Sequence, residues 1–233
     1  TKTHGEPDGL PEPKQFADAT TADHKVLNED DQSRTADRLA LVIQDRFTSW
    51  LQAFACKTKN AHDTLQSFMK FFGPQTKPKH VYTDGSKEFA KALDQYEVSH
   101  DTSIPHRPQT NGVAERAVRR VKEGTFATIV QSGWLDFMWS EAMSCFCFLR
   151  NTVDMLANGK TPYEMRFGTP FQGIVLPFGC EVTYKPSYEK DIERLHQLGS
   201  KVLSGIFMGY HQQAGGGWSG DLLIADYDEI QNA

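Results

Sequence analysis

Three acidic residues, Asp23, Asp84 and Glu115, occupy positions from which they can do metal chemistry together. Asp84 follows the run His80–Thr83 and precedes Gly85, so it lies at a predicted strand tip. Asp23 lies inside a strand-like stretch, and Glu115 stands at the start of a predicted helix. Two strand carboxylates and one helix carboxylate are the oxygen ligands that Mg²⁺ or Mn²⁺ requires. Two such ions about 4 Å apart activate a nucleophile on one side of a phosphodiester and stabilise the leaving oxygen on the other.

Each of these acids also has an ordinary structural interpretation. An Asp before Gly at a strand tip is usually a turn residue, and a Glu at a helix start complements the helix dipole. Asp18 and Asp45 compete with Asp23 for the first position. Asp18 falls in a predicted linker and Asp45 lies one strand later, so we prefer Asp23.

Basic residues surround Glu115. On a helical wheel, Arg119 and Lys122 lie on the same side as Glu115, four and seven positions further on. Next to a metal site these cations are expected to clamp the phosphates of a polyanion. The alternative is a solvated charged helix with one i,i+4 ion pair of small energy. The stripe expected to face the core consists of Ala114, Val118, Val121 and Thr125.

The loop before this helix reads IPHRPQTNG and is rich in polar side chains between two prolines and a glycine. His106, Arg107, Gln109 and Asn111 can each contact a phosphate or a base edge. The loop therefore fits the same use, which is contact with a polyanion.

Composition sets the class of protein. The chain has 233 residues and a net charge of −5, which argues against DNA binding over the whole surface but leaves room for a local basic face. No apolar run is long enough for a membrane span, and we expect no membrane partner. The four cysteines form no C-x-x-C pair, which favours reduced thiols in an intracellular protein.

The order of patterns along the chain predicts a mixed α/β fold, with a central sheet and helices on both faces. RTAD at 34–37 is a polar turn that joins the first two strands into a hairpin. Asn60 is a plausible N-cap and Gly73 a plausible helix stop. The predicted strands are 20–27, two within 39–58, 80–85 and 97–103, and the predicted helices are 60–73, 86–95, 112–130 and 134–156.

The sequence pattern changes from about residue 159, where short apolar runs are interrupted by Gly and Pro. Glu181–Tyr184, Gly205–Tyr210 and Asp221–Ala225 are typical of strands in a small β-rich unit. We therefore divide the chain into a linker at 1–18, a core at 19–158 and a β-rich C-terminal region at 159–233.

Taken together, these segments resemble the integrase catalytic core of LTR retrotransposons and retroviruses. TADHKVL, LALVIQDRFTSWLQAFACKTK, VYTDGSKEF and IPHRPQTNGVAERAVRRVKE are similar to the family's segments in order and spacing over about 20–155. The last stretch is the most specific. GKTPYEMRFGTPF and GSKVLSGIFMGY are similar to segments that follow the core in Pol polyproteins of copia-like elements.

The resemblance implies an RNase H-like fold, with Asp23, Asp84 and Glu115 as a D,D,E set of metal ligands for Mg²⁺ or Mn²⁺. It implies 3′-end processing and strand transfer of element DNA into target DNA, a homo-oligomer, and action in the nucleus of a eukaryotic host. His106, Arg107, Gln109, Asn111, Arg119 and Lys122 are the expected DNA contacts.

Two departures from the family pattern leave alternatives open. Thirty residues, positions 85 to 114, separate Asp84 from Glu115, fewer than in retroviral integrases, and TDGSKEF lacks the usual Asn after the Asp. A tighter connection is compatible with an intact site and with a decayed copy. The competing functions are a transposase or nuclease of the same fold and a catalytically dead, element-derived DNA-binding protein.

Overall fold

A computed structural model describes residues 12–28, 30–102, 112–195 and 197–231. Its larger sheet has five strands in the order β3-β2-β1-β4-β5. The strands are β1 (Thr20–Val26), β2 (Leu39–Asp45), β3 (Leu51–Cys56), β4 (His80–Thr83) and β5 (Ser99–Thr102).

Strand directions in this sheet are mixed. The first three strands pair antiparallel as a meander, whereas β1 pairs parallel with β4, and β4 parallel with β5. The predicted mixed sheet is therefore confirmed, as is the hairpin between β1 and β2. The parallel pairs need crossover connections, and the helices supply them.

Helices cover both faces of the sheet. Phenylalanines of α1 and α2 form one apolar cluster with the sheet, and residues of α3 and α4 form a second cluster on the opposite face. The helices are α1 (Ala61–Phe72), α2 (Lys87–Gln95), α3 (Gly112–Ser132) and α4 (Trp139–Val153).

The apolar run of β2 shows why both faces must be covered. Leu41 and Ile43 pack into the α1–α2 cluster, while Ala40 and Val42 pack into the α3–α4 cluster. A strand that is buried on both sides reads as a continuous apolar run rather than an alternating one. The sequence LALVI at 39–43 has this property.

Helix α1 begins and ends where its sequence predicts. The Asn60 side chain accepts a hydrogen bond of 2.7 Å from the Asp63 N–H, which satisfies one exposed donor of the first turn. Gly73 has φ +78° and its N–H donates to the Met69 carbonyl. A left-handed residue at this position is easiest for glycine.

The prediction of a single helix over 134–156 is wrong at both ends. A short 3₁₀ turn at Asp136–Met138 precedes α4, which ends at Val153. Leu135 is extended, and the Trp134 indole N–H donates to the Gly179 carbonyl at 3.3 Å. A contact with a distant segment therefore holds this connection out of the helix.

The C-terminal part of the chain forms a second, antiparallel sheet in the order β6-β7-β8, which confirms the predicted small β-rich unit. Strand β7 packs on α4, and the rings of Phe148 and Tyr210 stack with centroids 4.3 Å apart. The elements are α5 (Pro162–Phe167), β6 (Glu181–Tyr184), α6 (Glu189–Ile192), β7 (Leu203–Gln212), β8 (Trp218–Asp226) and α7 (Tyr227–Gln231).

Contacts cross both predicted domain boundaries. The Arg166 guanidinium lies 3.6 Å from the centroid of the Phe16 ring and donates to the carbonyls of Phe71 and Gly215. Phe16, from the predicted linker, also packs near Phe71 with ring centroids 5.9 Å apart. The division at 18/19 and 158/159 stays a prediction. Within the described ranges, no helix is both long and apolar enough to cross a bilayer.

Candidate active site

Two of the three predicted acids lie on, or directly after, neighbouring strands at the middle of the larger sheet. Thr21 of β1 pairs with Tyr82 of β4 in a parallel register. Asp23 comes two residues after Thr21 within β1, and Asp84 comes two residues after Tyr82, directly beyond the end of β4, so this register carries both acids towards the same end of the two strands. The parallel pairing of β1 with β4 thus brings together chain segments whose acids are 61 residues apart in sequence.

The face on which Asp23 lies is the one covered by α3. Asp23 is the antiparallel partner of Val42, and Val42 belongs to the cluster built with α3 and α4. Directly opposed residues of an antiparallel pair point to the same side of a sheet. Glu115 lies in the first turn of α3 and is exposed.

The electrostatics of Asp23 show that the charges of both Asp84 and Glu115 act on it. Burial, then the negative charge of Asp84 and, least, that of Glu115 together raise the pKa of Asp23 from 3.8 to about 6. A hydrogen bond from the His24 N–H and the positive charge of Lys59 act in the opposite direction. Like charges that crowd a half-buried carboxylate favour a bound cation.

Backbone N–H groups orient the two aspartates. The His24 N–H donates to Asp23 Oδ1 at 2.8 Å, and the Ser86 N–H donates to Asp84 Oδ1 at 3.1 Å. Each carboxylate thereby has a second oxygen that these hydrogen bonds do not use. Carboxylates that are held this way are suited to bind a hard metal ion through the other oxygen.

His24 points to the opposite face of the sheet. Its ring lies over Phe89 with centroids 4.4 Å apart, and its Nε2 is 3.4 Å from the Thr64 hydroxyl. Burial and the nearby Lys59 lower the pKa of His24 to about 4. The imidazole is therefore neutral at pH 7, and its role in this structure is to anchor β1 to α1 and α2.

Whether the three acids bind metal stays a prediction. Among the residues that the structure describes, no three His, Cys, Asp or Glu side chains are grouped closely enough to hold a metal ion. The donor chemistry of Asp23, Asp84 and Glu115 still fits a hard divalent cation, since all three offer carboxylate oxygens.

The two rival acids have structural partners instead. Asp45 is fully buried and accepts hydrogen bonds from the Ala17 N–H and from both the N–H and the hydroxyl of Thr48. Asp18 accepts from the backbone of the preceding turn and forms a 2.8 Å ion pair with Lys79. These contacts support the preference for Asp23.

The predicted DNA contacts divide into two groups. Arg119 and Lys122 are exposed on α3, along the side that begins with Glu115. The predictions for His106, Arg107, Gln109 and Asn111 lie outside the described residues.

The stripe predicted to face the core is correct for three of its four members, since Ala114, Val121 and Thr125 are buried. Val118 is only half-buried, because Ala117 takes the buried position beside it.

Lys59 is a candidate that the sequence reasoning missed. Its charge acts on Asp23, His24 and Glu88, so it lies at the same end of the sheet as the acids. It stands directly before the N-cap Asn60, in the sequence KTKN. The signal in the sequence that could have identified Lys59 was its position directly before a predicted helix start.

No protein-family model matches the chain. A retrovirus-related Pol polyprotein from transposon RE2 of Arabidopsis thaliana is 28% identical over 183 residues, which cover 74% of this chain. The chain spans only 12% of the length of that curated relative.

Solved structures decide the fold. The HTLV-2 integrase catalytic core domain in complex with magnesium matches with a TM-score of 0.51 and 18% identity, over 65% of this chain and 97% of that one. The chain has the fold of an integrase catalytic core. An intasome of simian T-cell lymphotropic virus matches with a TM-score of 0.55 and 16% identity, over 94% of this chain and 79% of that chain. The resemblance drawn from the motifs is confirmed by this fold and by the Pol polyprotein relative.

The charges of Asp84, Glu115 and Lys59 all act on Asp23, and Arg119 and Lys122 are exposed on α3 beyond Glu115. Acids and cations are therefore found together on the surface around Asp23. Such a surface combines a place for hard cations with a place for phosphates.

Proposed function

We propose that the chain is the catalytic core of a retrotransposon-type integrase, which trims the 3′ ends of element DNA and joins them to target DNA. The observation that carries this proposal is the parallel register of β1 with β4, which directs Asp23 and Asp84 to the same end of neighbouring strands, together with the charges of Asp84 and Glu115 that raise the pKa of Asp23. The relative and the integrase core fold support it. By the same resemblance, we propose a homo-oligomer that acts in the nucleus.

Asp23 and Asp84 would hold divalent metal, Mg²⁺ or Mn²⁺, and Glu115 would complete the second position. When bound, the ions supply Lewis-acid activation of the attacking oxygen and stabilisation of the leaving oxygen. The chain's own contribution is placement, since backbone N–H groups fix one oxygen of each aspartate. No covalent intermediate with the protein is needed.

Phosphate binding falls to the cations around the acids. Arg119 and Lys122 of α3 would neutralise DNA phosphates on one side, and Lys59 on another. Lys59 also offsets the charge of Asp23 before any metal is bound. The loop residues His106, Arg107, Gln109 and Asn111 complete the proposed DNA surface.

The test uses a branched DNA that mimics the joined product. Strand transfer exchanges one phosphodiester for another, so the same site catalyses the reverse reaction, and the unknown terminal bases matter less. Wild-type chain should resolve the branch with Mn²⁺ or Mg²⁺ and not with EDTA. Asp84→Asn and Glu115→Gln should lose at least about 100-fold in rate. Full activity in either variant would refute the assignment.

Matched controls come from exposed acids outside the site. Asp94→Asn on α2 and Glu123→Gln on α3 remove the same charge from exposed helical positions. Both should keep the wild-type rate. A blunt linear duplex and a plasmid target then separate an integrase, which joins the ends, from a nuclease of the same fold, which only cuts.

A second candidate is a non-catalytic DNA-binding protein from a decayed element. The exposed Glu115 and the lack of a closed metal-binding group among the described side chains favour it. Calorimetric titration with Mn²⁺ distinguishes the two. Binding that Asp23→Asn abolishes supports the integrase, and no binding by the folded chain supports the decayed element.

A further inference from the structure

A groove of about 540 Å³ lies in the crevice between β1 and α3, and Val42, the register partner of Asp23, is one of its lining residues. We call it the β1–α3 groove, and it is defined by Lys25, Val42, Lys122, Phe126, Leu135 and Phe137, among others. It runs away from Asp23 and Glu115 towards the start of α4. No part of the proposed catalytic function uses its far end.

Large apolar side chains on the walls of the groove are open to water. Phe126 is 69% exposed, Leu135 59% and Phe137 41%, and Val130, one turn from Phe126, is 63% exposed. Burial of one such side chain yields about 1.5–3 kcal/mol. A cluster of them beside a cavity is typical of an interaction site rather than of an ordinary surface.

Hydrogen bonds hold the groove open in advance. The Trp139 indole N–H donates to the Asp31 carbonyl at 3.0 Å, and the Arg34 N–H donates to the Phe137 carbonyl at 2.8 Å. The Arg34 guanidinium also pairs with Glu141 at 2.8 Å. The β1–β2 connection and the start of α4 are thus fixed to each other, so a ligand need not order them.

Charge differs between the two ends of the groove. Lys25 and Lys122 line the end near the acidic site, whereas Asp30, Asp31 and Asp136 line the end beyond it. Within the described part of the chain, neither Asp30 nor Asp136 forms an ion pair. A phosphate backbone would be repelled at this far end, and a lysine or arginine would be attracted.

We propose that the β1–α3 groove docks a short peptide segment of a protein partner. Apolar anchor side chains of that segment lie between Phe126 and Phe137, and a Lys or Arg next to them pairs with Asp30 or Asp136. The aromatic walls supply the area to be buried, and the aspartates set the direction of the peptide. DNA as the occupant is disfavoured by those same aspartates.

Fluorescence anisotropy tests this proposal on the whole chain without DNA or metal. The probes are labelled peptides with one Leu and one Phe, spaced roughly two to five residues apart, between Lys-Arg pairs. At least one should bind with a Kd on the order of 10–100 µM. Phe126→Ser and Asp136→Asn should each weaken it about tenfold or more. Ile174→Ser, which removes another exposed apolar side chain at 65% exposure, should change nothing.

Four results would overturn the proposal. They are no binding by any probe, equal binding of peptides with Glu in place of Lys and Arg, insensitivity to Phe126→Ser, and displacement of a bound probe by duplex DNA. Self-association that Phe126→Ser abolishes would assign the groove to a second copy instead. Since neither Phe126 nor Asp136 belongs to the proposed catalytic or DNA surface, failure here leaves the branched-DNA assay unaffected.

Discussion

The hydroxyl of Thr83 lies 2.8 Å from His100 Nε2 and 2.7 Å from the carbonyl oxygen of Asp84, to which it donates. A hydroxyl has only one proton, so the histidine Nε2 must donate to the Thr83 oxygen. The neutral tautomer of His100 is thereby fixed, and burial lowers its pKa, which preserves that form. Strand β5 thus supports the end of β4 at the point where Asp84 begins.

Thr83→Val should therefore weaken both the fold and the site. The valine keeps the shape but leaves the half-buried imidazole N–H unpaired, at a cost of about 1–3 kcal/mol in the free energy of unfolding. Asp84 loses its backbone support, and resolution of branched DNA should fall about tenfold or more. Urea unfolding and the branched-DNA assay measure the two effects.

His80→Gln is the matched control for this change. His80 pairs with the exposed Asp101 across the same two strands, at 2.6 Å. A solvent-exposed pair contributes only about 0–1 kcal/mol, and this one does not contact Asp84. If His80→Gln reduces activity as much as Thr83→Val does, support for Asp84 is not what Thr83 provides.

Asp23→Asn should stabilise the metal-free chain, and only above about pH 4. The folded-state pKa of Asp23 is raised from 3.8 to about 6, so its contribution to stability is full below pH 3.8 and is lost as the pH rises through 6. Between pH 4 and pH 7 the wild type should lose on the order of 1–2 kcal/mol relative to the variant.

The comparison of the wild type with the Asp23→Asn variant also cancels the effect of His24 on stability. The pKa of His24 is lowered from 6.5 to about 4, so the stability it contributes is present above pH 6.5 and is lost as the pH falls through 4. That loss affects both chains alike. Urea unfolding at several pH values with EDTA gives the difference, and a difference that does not change with pH contradicts the prediction. Added Mg²⁺ should stabilise only the wild type.

Local patterns predicted most of the larger sheet because local forces decide those segments. The run at 39–43 is apolar on both faces, and Asn60 and Gly73 satisfy the ends of α1 by themselves. Asp84 was found because an acid before a glycine at a strand end is visible in sequence. Its adjacency to Asp23, however, depends on parallel pairing between distant strands, and it followed from the resemblance.

Contacts between distant segments explain what the sequence did not predict. The helix predicted from residue 134 begins later because the Trp134 indole binds the Gly179 carbonyl. Lys59 was missed because its position relative to Asp23 depends on where α1 packs. The β1–α3 groove depends on the contact between Arg34 and Phe137, which are 103 residues apart.

Asn151→Ala should cost about 2–4 kcal/mol in the free energy of unfolding. Asn151 is fully buried, accepts from the Leu51 N–H at 3.0 Å and donates to the Leu51 carbonyl at 2.7 Å. It thereby satisfies the N–H and the carbonyl of Leu51 at the edge of the sheet. Removal of the Asn151 side chain leaves these two backbone groups buried and unpaired. The exposed Asn158→Ala is the control, and equal unfolding curves for the two variants would count against this account.

Arg119→Gln and Lys122→Gln should each weaken DNA binding in a salt-dependent way. Every phosphate contact that is lost reduces the slope of log K against log salt by about 0.9. Both residues are exposed on the side of α3 that starts at Glu115, so one phosphate contact each is expected. Anisotropy titrations of labelled duplex DNA between low and moderate salt measure the slope. Lys91→Gln, an exposed lysine on α2, should leave it unchanged, and an equal loss there would mean that net charge rather than this face governs binding.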